Sequence, residues 1–378
     1  MKNIFFIAGE PSGDLICSKI LSHYILKPDN IGIHGLFGER TKSLGFKSIF
    51  DMSDISVMGF VEILPKIFKI IKRINQTVQE IEKLSPNVVA TIDSPGFSKA
   101  VVKKLRKRGV YSGKIIHIVA PSVWAYKEKR AKKMSELYHE LLCFFDFEPK
   151  YFTKHGLTAK FIGNISIEDE IFDLKNNIIQ AKKIDKIKTI AITLGSRENE
   201  INRHFNIIVD FIKGDKNDIK YIFPTISRFE KMITDGLSKN GLSDICRVIA
   251  GSSAMSEALD LCDIGVAKSG TNTMQFLSKL KPVVVYYKIN KMSYWIIKSM
   301  IKIKFINLVN IVSNRKVIPE LVQDDFTPEN ISQSIEFILQ KNPTDDIKNA
   351  ILQMAPNGID EKPSFVAWRR ILELSVSE

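Results

Sequence analysis

Ala8-Gly9-Glu10-Pro11-Ser12-Gly13-Asp14 follows the apolar run Ile4-Phe5-Phe6-Ile7 and precedes a helical pattern of Leu15, Ile16, Ile20 and Leu21. A strand, a tight glycine-bearing loop and a helix N-terminus make up the first unit of a doubly wound α/β sheet. Gly9 and Gly13 let the backbone turn sharply and come close to a bound molecule. Glu10 would repel a phosphate held in such a loop, so the carboxylate suits a sugar whose hydroxyls it can accept from. A polar turn at the top of a strand is the plain alternative.

The composition bounds the rest. A chain of 378 residues is long for one core and predicts two domains. With 44% hydrophobic and 26% charged residues it is an ordinary globular chain, but 55 Lys+Arg against 42 Asp+Glu leave it at +13. That charge favours anionic partners: nucleic acid, an anionic membrane face or phosphorylated substrates. Cys17, Cys143, Cys246 and Cys262 are widely spaced and read as reduced, mostly buried thiols, with neither a disulfide framework nor a zinc site. The first strand begins directly after Met1-Lys2-Asn3, which predicts no signal peptide. No uncharged apolar run approaches the roughly 18 residues of a membrane span. A protein of this kind that meets a membrane lies on it.

Along the chain, strands are predicted at 4–7, 31–35, 46–50, 87–92, 114–119, 140–145 and 159–162, with helices near 15–26, 59–83, 97–108, 126–136 and 148–155. Charges cluster at 163–188, where the domain boundary is placed. Strands near 188–194, 219–223, 245–250, 264–266 and 282–286 follow, then Thr327-Pro328 as a helix start and helices near 345–354 and 362–374. The reading is a first Rossmann-like domain at 1–165, completed by helices from 345–378, and a second at 166–344.

Four stretches could carry chemistry. Thr91-Ile92-Asp93-Ser94-Pro95-Gly96-Phe97 puts Asp93 just past an apolar strand, as a general base or as the N-cap of the next helix. Pro121-Ser122-Val123-Trp124-Ala125 offers Trp124 to a sugar or an acyl groove, or to the core. Leu194-Gly195-Ser196-Arg197 opens a helix after a strand, with Ser196 a donor and Arg197 a clamp for a diphosphate. Lys268-Ser269-Gly270-Thr271-Asn272-Thr273 repeats that design, and Ser269, Gly270 and Thr271 could hold a leaving diphosphate without a metal. The chain has no Asp-x-Asp of the kind that holds a divalent ion for sugar transfer, so a metal-free scheme with no cofactor is expected.

Two basic amphipathic stretches remain. Ile63, Ile67, Ile70 and Ile74 form one stripe flanked by Lys66, Lys69 and Arg73. Trp295 shares a face with Lys291, Lys298 and Lys302. Lys with Trp on an apolar helix is an interfacial pattern, and packing on a core is its bland counterpart.

Taken in order, Ala8–Asp14, Val57-Met58-Gly59-Phe60-Val61-Glu62, Ile92-Asp93-Ser94-Pro95, Pro121–Ala125, Phe161-Ile162-Gly163, Gly195-Ser196-Arg197, Ser269-Gly270-Thr271, Asn310 and Pro319-Glu320-Leu321 resemble the lipid-A-disaccharide synthases over nearly the whole length. The resemblance implies two Rossmann-like lobes facing across a cleft, the GT-B-type glycosyltransferase architecture, with C-terminal helices crossing back. It implies an inverting transfer of 2,3-diacylglucosamine from UDP to 2,3-diacylglucosamine 1-phosphate, giving a β(1→6) disaccharide 1-phosphate and UDP. On it, Asp93 is the base and Glu10 its helper or a sugar ligand. Ser196, Arg197, Ser269, Gly270, Thr271, Gln275, Asn310 and Glu320 bind the UDP-sugar. Ser12, Met58, Val61, Ile63, Ile67 and Trp124 meet the acceptor and its acyl chains. Lys66, Lys69, Arg73, Trp295, Lys298 and Lys302 face an anionic inner membrane from the cytoplasmic side. No nucleic acid is implied, and a homodimer is left open.

The chain departs from the pattern at Asn164 (for His), Gln275 (for Glu), Leu194 and Val309 (each for Pro) and Gly96 (for Asp). A UDP-sugar 2-epimerase or a cell-wall glucosaminyltransferase is the nearest alternative, and would ignore acyl chains. A non-enzymatic basic protein on membrane or RNA leaves Glu10 and Asp93 unexplained. A Rossmann dehydrogenase lacks its Gly-x-Gly-x-x-Gly.

Overall fold

The structure, a computed structural model, describes residues 2–26, 31–55, 60–94, 96–125, 128–175, 184–215, 217–290, 294, 298, 303–356 and 361–376, with backbone alone at 60–66 and 271. Met58, Trp295 and Lys302, and the side chains of Val61, Ile63, Lys66 and Thr271, lie outside that description. The chain forms two compact units, Met1–Asp169 with Met354–Glu378, and Glu170–Gln353.

The first unit is built on β1 (Lys2–Ala8), β2 (Ile31–Leu36), β3 (Val88–Ile92), β4 (Lys114–Ile118), β5 (Glu140–Cys143) and β6 (Thr158–Phe161). All pairings are parallel, in the order β2-β1-β3-β4-β5-β6. Helices between the strands explain why β3 reads as an unbroken apolar run: all five of its residues are buried. The order reverses between β1 and β3, so the loops leaving these two strands open a crevice at the carboxyl edge of the sheet.

The second unit repeats the plan with β7 (Thr189–Thr193), β8 (Lys220–Thr225), β9 (Cys246–Ala250), β10 (Ile264–Lys268), β11 (Val283–Tyr287) and β12 (Glu320–Val322). Its order is β12-β11-β10-β7-β8-β9, again all parallel, and it reverses between β7 and β10.

Three elements differ from the sequence reading. Residues 46–50 join no sheet: Ile49 N–H donates to the Gly35 carbonyl at 3.0 Å and the Ser48 hydroxyl accepts from Phe37 N–H, so the segment wraps the end of β2. The three-residue β12 is too short to announce itself by alternation. Of the two C-terminal helices only Pro363–Val376 belongs to the first unit, whereas Thr344–Leu352 packs in the second on the helices Leu308–Ser313 and Thr271–Ser278. Thr327 caps its helix as read, accepting from Asn330 N–H at 3.2 Å.

The returning helix is anchored by chemistry that local patterns do not reveal. Arg370 grips the buried Glu140 of β5 with two bonds of 2.8 and 2.7 Å. Removing one half of such a buried pair costs about 3–5 kcal/mol. Tyr24 and Trp368 meet edge to face with centroids 5.9 Å apart.

Candidate active site

At the first switch point β1 passes through Gly9 and Glu10 into the helix Pro11–Leu26, whose first turn is held from both sides. A Cβ at Gly13 would sit 2.9 Å from the Ile92 carbonyl oxygen, so the helix can start this close to β3 only with glycine there. Asp14, 2% exposed, accepts from Gly38 N–H at 2.8 Å, Arg40 N–H at 2.8 Å and Thr41 N–H at 3.3 Å, which ties the start of this helix to the segment after β2. The sequence reading quoted Asp14 and gave it no role; its partners lie more than twenty residues away.

Asp93 leaves β3 with φ +49°, and Ser94 follows at +48°. Two successive non-glycine residues in the left-handed region cost of order 1–3 kcal/mol each and mark functional loops. The following helix, Phe97–Arg108, begins at Gly96 with no side-chain cap, so the N-cap alternative for Asp93 is not what the chain does. Instead the Ser12 hydroxyl donates to Asp93 Oδ2 at 2.7 Å. Burial, and after it the Asp93 charge, pushes the Glu10 carboxyl above the usual carboxylate range, against a Ser94 hydroxyl that lowers it. The first switch point thus pairs two interacting carboxyls, half-buried and bordered by hydroxyls.

Beneath them His117 of β4 is buried, its Nδ1 2.6 Å from Thr91 Oγ1, whose hydroxyl donates to the Ile116 carbonyl. Burial pushes the imidazole down to about 4, with the Asp93 charge pulling the other way, so the ring is a neutral strut. Trp124 is half-buried; its Nε1–H donates to Glu148 Oε1 at 3.3 Å and its ring meets Phe147 edge to face at 5.3 Å. Asn164 caps a short turn by accepting from Ser166 N–H at 3.0 Å.

The second switch point carries the opposite charge. Gly195 has φ +122°, and a Cβ there would meet Glu200 Oε2 at 2.5 Å. Glu200, three residues into the helix that starts after Arg197, reaches back to Ser196 N–H at 3.1 Å. Its Oε1 lies 3.2 Å from Lys268 Nζ and 3.9 Å from Arg197 Nη1. Burial works to raise this carboxyl, but Lys268, Ser196 N–H and Arg197 together hold it below the usual range. Ser196, Arg197, Lys268 and, beside it, Ser269 and Gly270 are therefore gathered at one edge. Lys268 and Glu200 were missed as site residues; the signal was a Glu one turn after Gly-Ser-Arg.

Buried beside this edge, His204 places Nδ1 2.9 Å from the Leu194 carbonyl and Nε2 3.2 Å from that of Lys288. The Thr193 hydroxyl, at the end of β7, is the one buried side-chain polar atom without a partner among the described residues. Gln275 is exposed. Asn310 is buried with its amide fully engaged: it accepts from Val317 and Ile318 N–H and donates to the Ile318 carbonyl and to Glu320. Glu320 also accepts from Ile306 and Asn307 N–H. Any part these two take in binding runs through the loop they hold.

On the basic stripe, Lys69 and Arg73 share a carboxylate partner. Arg73 donates to Asp54 from Nε at 2.9 Å and lies over the Phe50 ring at 4.7 Å, while Lys69 pairs with the other Asp54 oxygen at 2.5 Å. Arg73 is turned toward the protein, whereas Lys69 stays exposed while paired. Phe68 is 82% exposed between Ile67 and Ile71, themselves exposed. Lys298 is exposed and lies over the Tyr294 ring at 5.5 Å.

The sequence model of a family described as Lipid-A-disaccharide synthetase matches residues 4–359. The chain belongs to that family. Curated relatives named lipid-A-disaccharide synthase include one from Rickettsia bellii, 40% identical over 347 residues, covering 90% of this chain and 89% of its own. Another, from Rickettsia prowazekii, is 37% identical over 380 residues, covering 98% and 99%. Membership makes the chain a hexosyltransferase. Solved structures of the same fold include MurG of Acinetobacter baumannii, TM-score 0.61 at 13% identity over 99% of this chain and 100% of that one. A UDP-GlcNAc 2-epimerase from Neisseria meningitidis, bound to UDP-GlcNAc, aligns with TM-score 0.57 at 14% identity over 99% of each chain. The galactosyltransferase WaaB gives 0.53 at 12% identity, covering 99% of each. At such identities the likeness concerns the α/β fold of GT-B glycosyltransferases.

Proposed function

We propose that the chain joins UDP-2,3-diacylglucosamine to 2,3-diacylglucosamine 1-phosphate, releasing UDP and a β(1→6) disaccharide 1-phosphate. Asp93 takes the proton of the acceptor's primary hydroxyl as that oxygen attacks the anomeric carbon. The bond from that carbon to the UDP oxygen breaks on the opposite face, its electrons pass to the diphosphate, and the configuration inverts. Glu10 accepts from a second acceptor hydroxyl. Arg197 and Lys268 neutralise the leaving diphosphate, with Ser196, Ser269 and Thr271 donating around it, Gly270 giving it room and Gln275 on the ribose. Two cations at that edge supply the charge a divalent ion would otherwise bring, and EDTA should leave turnover unchanged.

The single observation that carries the reading is the Ser12–Asp93 bond, because it shows a strand-end carboxylate aimed back over the glycine loop rather than spent as a helix cap. For the lipid substrates we assign the exposed Ile67, Phe68 and Ile71 to acyl chains or to the surface of an anionic inner membrane reached from the cytoplasm. The test is to incubate the protein with the acylated donor and acceptor and weigh the products. A tetra-acylated disaccharide 1-phosphate is expected; conversion of UDP-N-acetylglucosamine alone would move the assignment to the epimerase or cell-wall transferase reading.

A further inference from the structure

Glu148 is a carboxylate with 2% exposure that the proposed chemistry does not use. It follows β5, next to β4 in the sheet, and lies at the same carboxyl edge as Asp93. One oxygen, Oε2, accepts from two backbone donors, Phe144 N–H at 3.0 Å and Phe145 N–H at 3.1 Å. The other, Oε1, accepts from the Trp124 indole at 3.3 Å. Around it the rings form a continuous aromatic set: Trp124 meets Phe147 at 89° and Phe147 stacks on Phe145 at 5.5 Å. Burial pushes this carboxyl up to about 7 even with those donors pulling it down. A Gln at 148 would remove that cost and still serve the two backbone donors, so folding alone does not call for an acid here.

What the acid has and an amide lacks is a second acceptor oxygen. The geometry points to Glu148 as a positioning residue that fixes the Trp124 ring at the acceptor-binding edge through its indole N–H, and so sets the affinity for the acylated amino-sugar acceptor. This inference rests on the reading that Trp124 meets the acceptor. It makes Glu148 a determinant of acceptor binding that acts without touching the acceptor.

Glu148→Gln separates the two jobs. The amide oxygen can replace Oε2, and the amide NH2 then faces the indole N–H donor to donor. The acceptor KM is expected to rise about fivefold, with kcat and the KM for the UDP-sugar within about twofold of the parent. In a Trp124→Phe background, which keeps a ring but has no N–H, adding Glu148→Gln should change the acceptor KM by less than about 1.5-fold. The indole N–H resonance that Trp124→Phe removes should move in Glu148→Gln, and in the parent it should exchange slowly with solvent. Trp124→Ala with an unchanged acceptor KM would overturn the reading of Trp124 itself. If Trp124→Ala raises that KM but Glu148→Gln does not, or the two substitutions act independently, positioning by Glu148 is wrong. Should Glu148→Gln fail to fold, the parent decides: rapid exchange of the Trp124 indole proton contradicts the proposal.

Discussion

The two switch points share a topology and oppose each other in charge. Between β1 and β3 the chain sets Glu10 and Asp93 among hydroxyls. Between β7 and β10 it sets Arg197 and Lys268 around one half-buried acid, Glu200. Parallel strand order decides where a ligand can sit, and loop chemistry decides which ligand. An edge with paired carboxyls suits neutral hydroxyls and proton removal; an edge with two cations and the hydroxyls of Ser196 and Ser269 suits a diphosphate.

The largest break in that contrast should come from Asp93→Asn. Turnover is expected to fall by about 100- to 10,000-fold in a single-turnover assay, since the amide cannot take a proton. Wild-type rates in that variant would remove Asp93 as the base.

Next in size is a pH effect confined to the carboxylate-bearing unit. The His117 imidazole titrates at about 4 when folded, against 6.5 for an ordinary histidine. The unfolded chain therefore binds the proton first as pH falls. Stability from the neutral ring is complete above about 6.5 and is lost progressively toward 4, at most about 3 kcal/mol. Protection factors at β3 and β4, taken from hydrogen exchange after dividing out its intrinsic pH dependence, should fall between pH 7.5 and 5 in the parent, and much less in His117→Phe.

Lys268→Met should sharpen the comparison from the other side. Product inhibition by UDP is expected to weaken about tenfold, with inhibition by uridine unchanged. Equal losses for both would place Lys268 away from the diphosphate. The smallest effect belongs to Gln275→Glu: an acid at the proposed ribose contact should tighten UDP by about two- to threefold, read by the same inhibition assay.

How much of this was legible in the sequence follows from distance along the chain. Ala8–Asp14, Asp93 and Gly195-Ser196-Arg197 could be read because each is a short run bounded by a strand and a helix, and periodicity places such runs at a strand end. The α/β class followed from the same alternation. Residues 46–50 misled because their apolar side chains serve a wrap around β2 and not a ladder. Glu200, Lys268 and Glu148 stayed hidden as site residues because what defines them is a partner on another element. Trp124 finds its acceptor twenty-four residues on, and Lys268 meets a carboxylate sixty-eight residues back. Asn310 and Glu320 were marked by family pattern, and only the coordinates show their hydrogen bonds used within the chain.

The division of labour between the edges is tested most directly by calorimetric titration of UDP into Asp93→Asn and Arg197→Ala side by side. Parent-like affinity is expected in Asp93→Asn and a loss of about 10- to 100-fold in Arg197→Ala. Unchanged affinity in Arg197→Ala, or a comparable loss in Asp93→Asn, would contradict that division.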